Sequence, residues 1–256
     1  MLALVTTSPS GEFAEAERIA ASCGLVAQER AGRTLEELLA VAVAPVLVLG
    51  RSRADLHVPL RGGVRTFRAT VGMAFLRLLR ARKGETDPLV RLAGLRAGDL
   101  VLDATLGLGG DALVASYTTG ARVIGLEVQP LLAAFAMAGL PRLPEPAQEA
   151  GRRIEVRCKD HRTALRELPA GSVDVVLLDP MFRTTGDAGP LFDLLREHAD
   201  HAPLDLETLG AARRVARRGV LVKDRAPGEV LRALGLIPQQ SRRTSPIAFG
   251  WADALG

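Results

Sequence analysis

"VLDATLGLGGDALVAS" (Val101–Ser116) places three glycines between two aspartates, where an apolar run gives way to a helical pattern. A strand over 100–104 and a helix near 110–117 are read from it. The glycines permit a tight turn, let backbone N–H groups approach a ligand, and lead into the positive end of the following helix. Outward from this point strands and helices alternate, with strands at 122–127, 153–157, 173–178 and 219–223 and helices near 130–139, 161–167 and 190–215. "VDVVLL" and "GVLVK" are almost continuously apolar, as strands of a parallel sheet covered on both faces must be. The pattern predicts an α/β fold with a doubly wound sheet, closed by an antiparallel hairpin within "ALGLIPQQSRRTSPIAFGW".

Upstream the chain divides differently. Residues 1–60 run "LALVTT", "EFAEAERIAASCG", "LVAQER", "TLEELLAVAV" and "PVLVLG", which predicts a small N-terminal β-α-β-α-β unit. Phe13, Ala16, Ile19 and Ala20 follow the helical period, and Gly24 is placed to end that helix. Residues 61–96 are read as a basic helical connecting segment, with helices around "MAFLRLLRARKG" and "DPLVRLAGL" and Pro88 in the first turn of the second. Residues 97–256 then form the main domain.

Composition narrows the function classes. A chain of 256 residues with 48% hydrophobic and 24% charged residues is typical of a soluble globular protein and excludes wholesale disorder. Its longest apolar stretch, Leu38 to Leu49, is too short for a bilayer and contains Pro45, and "MLALVTTSPSGEF" lacks the basic region of a secretory signal. A cytoplasmic protein without membrane association is expected. Cys23 and Cys158 have no metal-ligand spacing, and His57, His161, His198 and His201 form no H-x-x-x-H pair. Reduced thiols and no metal site follow. The net charge of +4 carries little weight because the excess is small; only Lys83, Lys159 and Lys223 among the 33 basic residues are lysines, a bias that a GC-rich genome could produce without selection for function.

Gly107, Gly109 and Ala112 satisfy G-x-G-x-x-A, and Glu127 lies about 20 residues beyond Gly107, where a ribose-binding acid belongs. These features alone fit a nicotinamide dinucleotide equally well. Asp103 separates the possibilities, because an anion at the strand tip would repel a pyrophosphate across weakly screened space. S-adenosylmethionine carries no phosphate; its sulfonium and ammonium would be attracted by Asp103 and Asp111. The alternative is that Asp103 caps a turn and Asp111 caps the helix, which leaves the glycines unexplained.

A second signal, "VDVVLLDPMFR", ends the fourth strand of this domain. Methylation of an exocyclic amino nitrogen must overcome delocalisation of its lone pair into the ring. A carboxylate and a backbone carbonyl that accept the amino N–H bonds favour a more nucleophilic nitrogen. Asp179 and the Pro180 carbonyl are candidates for those acceptors, and Phe182 for stacking on the base. "DP" after a strand is also a common turn; what favours chemistry is its place beside the glycine loop on one sheet edge.

On these residues the chain resembles class I S-adenosylmethionine-dependent methyltransferases, and within them the family that methylates guanine N2 of 16S ribosomal RNA. The resemblance runs from about Arg61 to Lys223 and is carried mainly by "LDATLGLGGDA" and "LDPMF", with weaker support from "GLEVQP" and "GVLVKDR". It implies a Rossmann-like methyltransferase sheet. It further implies that Gly110 and Asp111 contact the cofactor, Glu127 and Val128 its ribose region, and Asp160 and His161 its adenine region, with Asp179 between cofactor and base. Asp160, His161 and Arg183 depart from the pattern of enterobacterial members, which carry small hydroxyl residues at the first two positions and a second proline at the third. For His161 helix capping or surface exposure is an equal alternative.

An RNA partner, 16S rRNA or the small subunit, is expected to meet Arg61, Arg65, Arg68, Arg77, Arg80, Arg82 and Lys83, a run without an intervening acid. A second cluster, Arg213, Arg214, Arg217 and Arg218, is equally suited to complement a helix carboxyl end. Three competing functions remain open in the sequence. They are N-methylation of DNA or of a small molecule, nicotinamide-dependent oxidoreduction, and non-catalytic RNA binding on a methyltransferase fold.

Overall fold

The computed structural model describes residues 3–8, 11–42, 44–60, 62–72, 74–179, 204–240, 242 and 244–255. Two sheets organise them. The first contains β1 (Leu4–Thr7), β2 (Val26–Ala27), β3 (Val46–Leu49), β4 (Ala54–Leu60) and β5 (Gly63–Arg68) in the order β2-β1-β3-β4-β5. β1, β2 and β3 are parallel, connected through α1 (Phe13–Cys23) and α2 (Leu35–Ala42) as the apolar periodicity predicts. α1 buries Ala16, Ile19, Ala20 and Cys23 on one face and ends at Gly24, whose φ of 64° is the left-handed conformation that glycine adopts without strain. β4 and β5 extend the sheet antiparallel.

Residues 63–68, which the sequence places in a helical connecting segment, are thus the edge strand of the first sheet. β5 is exposed along nearly its whole length, so it lacks the alternation of buried and solvated residues that marks a strand. The helices expected downstream are α3 (Ala74–Arg82) and α4 (Pro88–Leu92). The Asp87 side chain accepts a hydrogen bond from the Leu89 backbone N–H, and Pro88 occupies the first turn, where its missing N–H costs nothing.

The second sheet contains β6 (Leu100–Asp103), β7 (Arg122–Glu127), β8 (Ile154–Cys158), β9 (Val173–Leu178), β10 (Ala216–Arg225), β11 (Gln239–Gln240) and β12 (Ile247–Asp253). Its order is β11-β12-β10-β9-β6-β7-β8; the five strands from β10 to β8 are parallel, and β12 runs antiparallel to both β10 and β11. The predicted closing hairpin is therefore present, with β12 inserted between β10 and β11. Between strands lie α5 (Gly110–Thr119), α6 (Pro130–Gly139), α7 (Gln148–Arg152), α8 (His161–Glu167), α9 (Leu206–Val215) and α10 (Glu229–Ala233). Successive strand residues enter opposite faces: Val101, Val175 and Leu221 join one apolar cluster, while Leu102, Val176, Val220 and Val222 join the other. That burial on both sides explains the continuously apolar strands.

From β6 the chain winds outward through β7 and β8, then returns to place β9 on the other flank of β6. The carboxyl ends of β6 and β9 therefore border a topological switch point, where such sheets hold ligands. The first sheet packs onto this framework through α6: Leu132, Phe135 and Ala138 share a buried cluster with Val5, Ile19, Leu47 and Leu56. Arg142 reinforces the junction by pairing with Glu15 and donating to the Gly50 carbonyl at 2.7 Å. A Cβ on Gly139 would overlap Ala69, so the end of α6 meets the chain leaving β5 only because a glycine stands there. Among the described residues no helix is long and apolar enough to cross a membrane, and no three His, Cys, Asp or Glu side chains are grouped to hold a metal ion.

Candidate functional site

Four strand ends bring charged side chains to one edge of the second sheet. β6 ends in Asp103, β7 in Glu127, β9 leads into Asp179, and β10 carries Lys223. Asp103 is opposite Leu177, and Leu178 opposite Val222, so Asp179 and Lys223 emerge side by side. They border a cavity of about 690 Å³ that also reaches Gly107, Gly110 and Asp111. Its lining also includes Thr66, Phe67, Arg68 and Ala69 of β5 and the segment after it, together with Phe135 and Leu140.

The turn between β6 and α5 depends on its glycines. Gly107 (φ 55°) and Gly109 (φ 80°) are left-handed, and Gly109 stands immediately before α5. Side chains added at Gly107 or Gly110 would meet no protein atom within 4 Å, so the turn faces open space. Glu127 braces it: Oε2 accepts from the Gly107 N–H at 3.1 Å and Oε1 from the Gln129 N–H at 2.8 Å. A carboxylate has about four acceptor positions, so each oxygen retains one for a ligand hydroxyl. Burial raises the Glu127 carboxyl above its ordinary range despite these backbone N–H donors.

Two cations organise the acids. The Lys223 ammonium donates to Asp179 Oδ2 at 2.6 Å and to Asp111 Oδ2 at 2.9 Å. Arg77 donates to both Asp87 oxygens at 2.8 Å and pairs through its other terminal nitrogen with Asp111. Asp111 is desolvated, yet Lys223 and Arg77 outweigh that cost and hold its carboxyl below the ordinary range. Asp179 goes the other way, because desolvation and the nearby Asp111 charge exceed the help from Lys223. Its Oδ1 has no partner among the described residues.

Asp103 is 3% exposed and, among the described residues, accepts only a 3.2 Å hydrogen bond from the Thr105 N–H. Desolvation and the Asp111 charge push its carboxyl from 3.8 up to about 8. The folded state therefore retains a proton that the unfolded chain has released, so stability from this group is full below pH 3.8 and is lost as pH rises through about 8. Asp103→Asn is expected to flatten the pH dependence of urea stability of the free protein between about pH 5 and about pH 8. Parallel curves for variant and wild type would contradict the assignment.

The structure brings Asp103, Gly107, Gly110, Asp111 and Asp179 to one cavity, with Gly109 in the turn and Glu127 joined to it through the Gly107 N–H. Val128, Asp160 and His161 lie at the β7 and β8 ends and do not line that cavity. Asp160 caps α8 by accepting from the Thr163 N–H at 2.8 Å, and its second oxygen is 4.0 Å from His161 Nδ1. Pro180 and Phe182 lie outside the described residues, as does Arg61.

Two sequence expectations change. Asp111 does not offer a free charge, since both of its oxygens are engaged by Arg77 and Lys223; it is also not the helix cap. Arg77 is turned inward to Asp87 and Asp111 and is not a phosphate contact, while Arg68 pairs with Asp55 at 2.8 Å. Arg65, Arg80, Arg82 and Lys83 stay exposed. The second arginine cluster is structural: Arg218 pairs with Asp99, Arg217 with Asp174, and Arg213 and Arg214 donate to backbone carbonyls. Lys223 is a cavity residue that the sequence reading does not include; its one signal is a lysine at the end of an apolar strand in a chain that otherwise uses arginine.

A family model described as "Putative SAM-dependent methyltransferase" matches residues 70–234. The "Uncharacterized protein YpiP" of Bacillus subtilis is 37% identical over 197 residues, covering 75% of this chain and 76% of that protein. "Ribosomal RNA small subunit methyltransferase J" of Laribacter hongkongensis is 36% identical over 155 residues, covering 58% of this chain and 55% of that protein. The protein of the same name from Halorhodospira halophila is 41% identical over 146 residues, covering 54% of each. The chain thus spans about half the length of these two ribosomal RNA methyltransferases. A crystal structure of a SAM-dependent methyltransferase from Neisseria gonorrhoeae has the same fold, with a TM-score of 0.65 over 99% of this chain and 96% of that one at 20% identity.

Proposed function

We propose the following reaction for this chain, which belongs to the S-adenosylmethionine-dependent methyltransferase family: transfer of a methyl group to guanine N2 of 16S ribosomal RNA. That the chain is a methyltransferase using S-adenosylmethionine follows from the family. The finer reading, an RNA amine as acceptor, draws on the ribosomal RNA methyltransferases similar to it and on the site's own chemistry.

The residues suit the cofactor. Asp111 and Asp179 share Lys223, and Arg77 divides its charge between Asp111 and Asp87, so these three carboxylates outnumber their two cations by one and a bound cation complements the remainder, while Asp103 keeps its proton up to about pH 8. The open glycine turn offers space, and Glu127 offers acceptors for ribose hydroxyls. When bound, S-adenosylmethionine supplies a methyl group already activated by its sulfonium. The protein's task is then alignment, which lowers the barrier by holding the reactants in attacking geometry.

The single observation that carries the amine reading is Asp179 Oδ1, an acceptor without a partner among the described residues, in the same cavity as Asp103 and the glycine turn. Asp179 accepts one amino N–H and keeps the nitrogen lone pair directed across the cavity. Lys223 fixes the other carboxylate oxygen and so sets the direction of Oδ1. Pro180 and Phe182, next in the chain, are assigned the carbonyl acceptor and the stacking ring. Asp160 and His161 are assigned to the adenine region, and Val128 to the ribose. Arg65, Arg80, Arg82 and Lys83 supply contacts to RNA phosphates.

The test is methyl transfer from labelled S-adenosylmethionine to small ribosomal subunits of a strain lacking this protein, followed by mapping of the labelled nucleotide. Label on the N2 of one guanine of 16S rRNA is the expected result. Label on another base or on protein, or no incorporation into the subunit, would remove the guanine assignment.

A further inference from the structure

A second cavity, of about 470 Å³, lies between α3, α4 and the residues just before β12. Arg80 comes from α3, Arg91 from α4 and Arg242 from the segment leading to β12, and all three line it. None of their side chains has an ion pair or hydrogen bond among the described residues, in contrast to Arg77, Arg142, Arg153 and Arg218, which are all committed. Asp87 is taken by both bonds from Arg77, so Glu85 is the one remaining acid of the described lining against Arg80, Arg91 and Arg242, and an excess of positive charge is left. Thr86 and Thr244 also line the cavity, and their hydroxyls have no acceptor among the described residues.

Three like charges from separate elements, gathered with hydroxyl donors around one space, repel one another unless an anion enters. Guanidinium groups match the oxygens of a phosphate bidentately. We infer that this cavity receives a backbone phosphodiester of the RNA substrate, beside the nucleotide whose base enters the larger cavity. Arg77 lines both cavities, so they adjoin there. Held by Asp87 and Asp111, Arg77 is committed and leaves Arg80, Arg91 and Arg242 for the phosphate. The inference rests on nucleic acid being the substrate. It adds a contact made by α4 and the β12 approach, beyond the basic run that ends at Lys83.

The test compares the wild type with Arg91→Gln, Arg242→Gln and the double variant, each saturated with S-adenosylhomocysteine. Binding of a fluorescein-labelled single-stranded RNA oligonucleotide is followed by anisotropy over a range of KCl concentrations. Each substitution is expected to weaken binding, and the double variant, which gives up the contact to that one phosphate, to reduce the log–log salt slope by about 0.7. Affinity for S-adenosylhomocysteine should not change, because both arginines lie outside the larger cavity. An unaltered slope and affinity in the double variant would overturn the inference. Calorimetry with inorganic phosphate separates the sources: phosphate binding lost in the double variant, with RNA binding intact, marks a receptor for free phosphate and overturns the RNA assignment. Methyl transfer to subunits by the wild type is measured alongside. Its absence counts against the amine reading alone, since oligonucleotide binding requires no turnover.

Discussion

Asp179→Asn should reduce methyl transfer roughly 10²–10³-fold while leaving S-adenosylhomocysteine binding intact. The carboxylate is the acceptor on which the amine reading depends, and an amide oxygen is a weaker acceptor for the charge that builds on nitrogen during transfer. The fold should tolerate the change. Lys223 retains Asp111 as a partner, and the backbone at residue 179 remains fixed by its 2.6 Å hydrogen bond to Thr105 Oγ1. Single-turnover rates with labelled cofactor, set beside calorimetric binding of S-adenosylhomocysteine, separate chemistry from binding. A variant with wild-type turnover would show that the group sits in the cavity without taking part.

Lys223→Met should damage both stability and activity. Lys223 is 21% exposed and spans two carboxylates; without it Asp111 keeps Arg77, but Asp179 is left beside Asp111 with no cation of its own. Breaking such a partly buried pair costs about 3 kcal/mol, equivalent to a fall in Tm of roughly 6–12 °C for a chain of this size. Part of that loss is relieved by protonation of Asp179, whose carboxyl is already raised by desolvation. Removal of a neighbouring cation raises it further. Because the ionised form is the competent acceptor, the acidic limb of the pH–rate profile should move upward from its wild-type position, with activity partly regained as the pH is raised. Lys223→Arg keeps the charge and should leave the limb near its wild-type position. If Met and Arg give the same profile, Lys223 serves the fold and not the ionisation of Asp179.

The second sheet was legible because its strands are buried on both faces and so announce themselves as apolar runs: 122–127 and 173–178 match β7 and β9 residue for residue. The glycine turn was legible for a different reason, since backbone conformations with positive φ leave a signature in residue type. β5 was not, because an exposed edge strand such as "GVRTFR" has no apolar face to display. Nor were the ion pairs. Arg77 and Asp111 are 34 positions apart, and Lys223 and Asp111 are 112 apart, so nothing local distinguishes a committed arginine from a free one. The run from Arg61 to Lys83 therefore read as one basic surface, although folding turns Arg77 inward. The expected helix at 190–215 is visible only from Leu206, the remainder lying outside the described residues.

The wall of the larger cavity that belongs to the first sheet has a consequence for engineering. Thr66, Phe67, Arg68 and Ala69 precede residue 70, where the family match begins, yet they line the same cavity as the glycine turn. A graft limited to residues 70–234 would transplant the glycine turn without these lining residues. Swapping acceptor preference between relatives should therefore begin with an exchange of the β4–β5 ribbon.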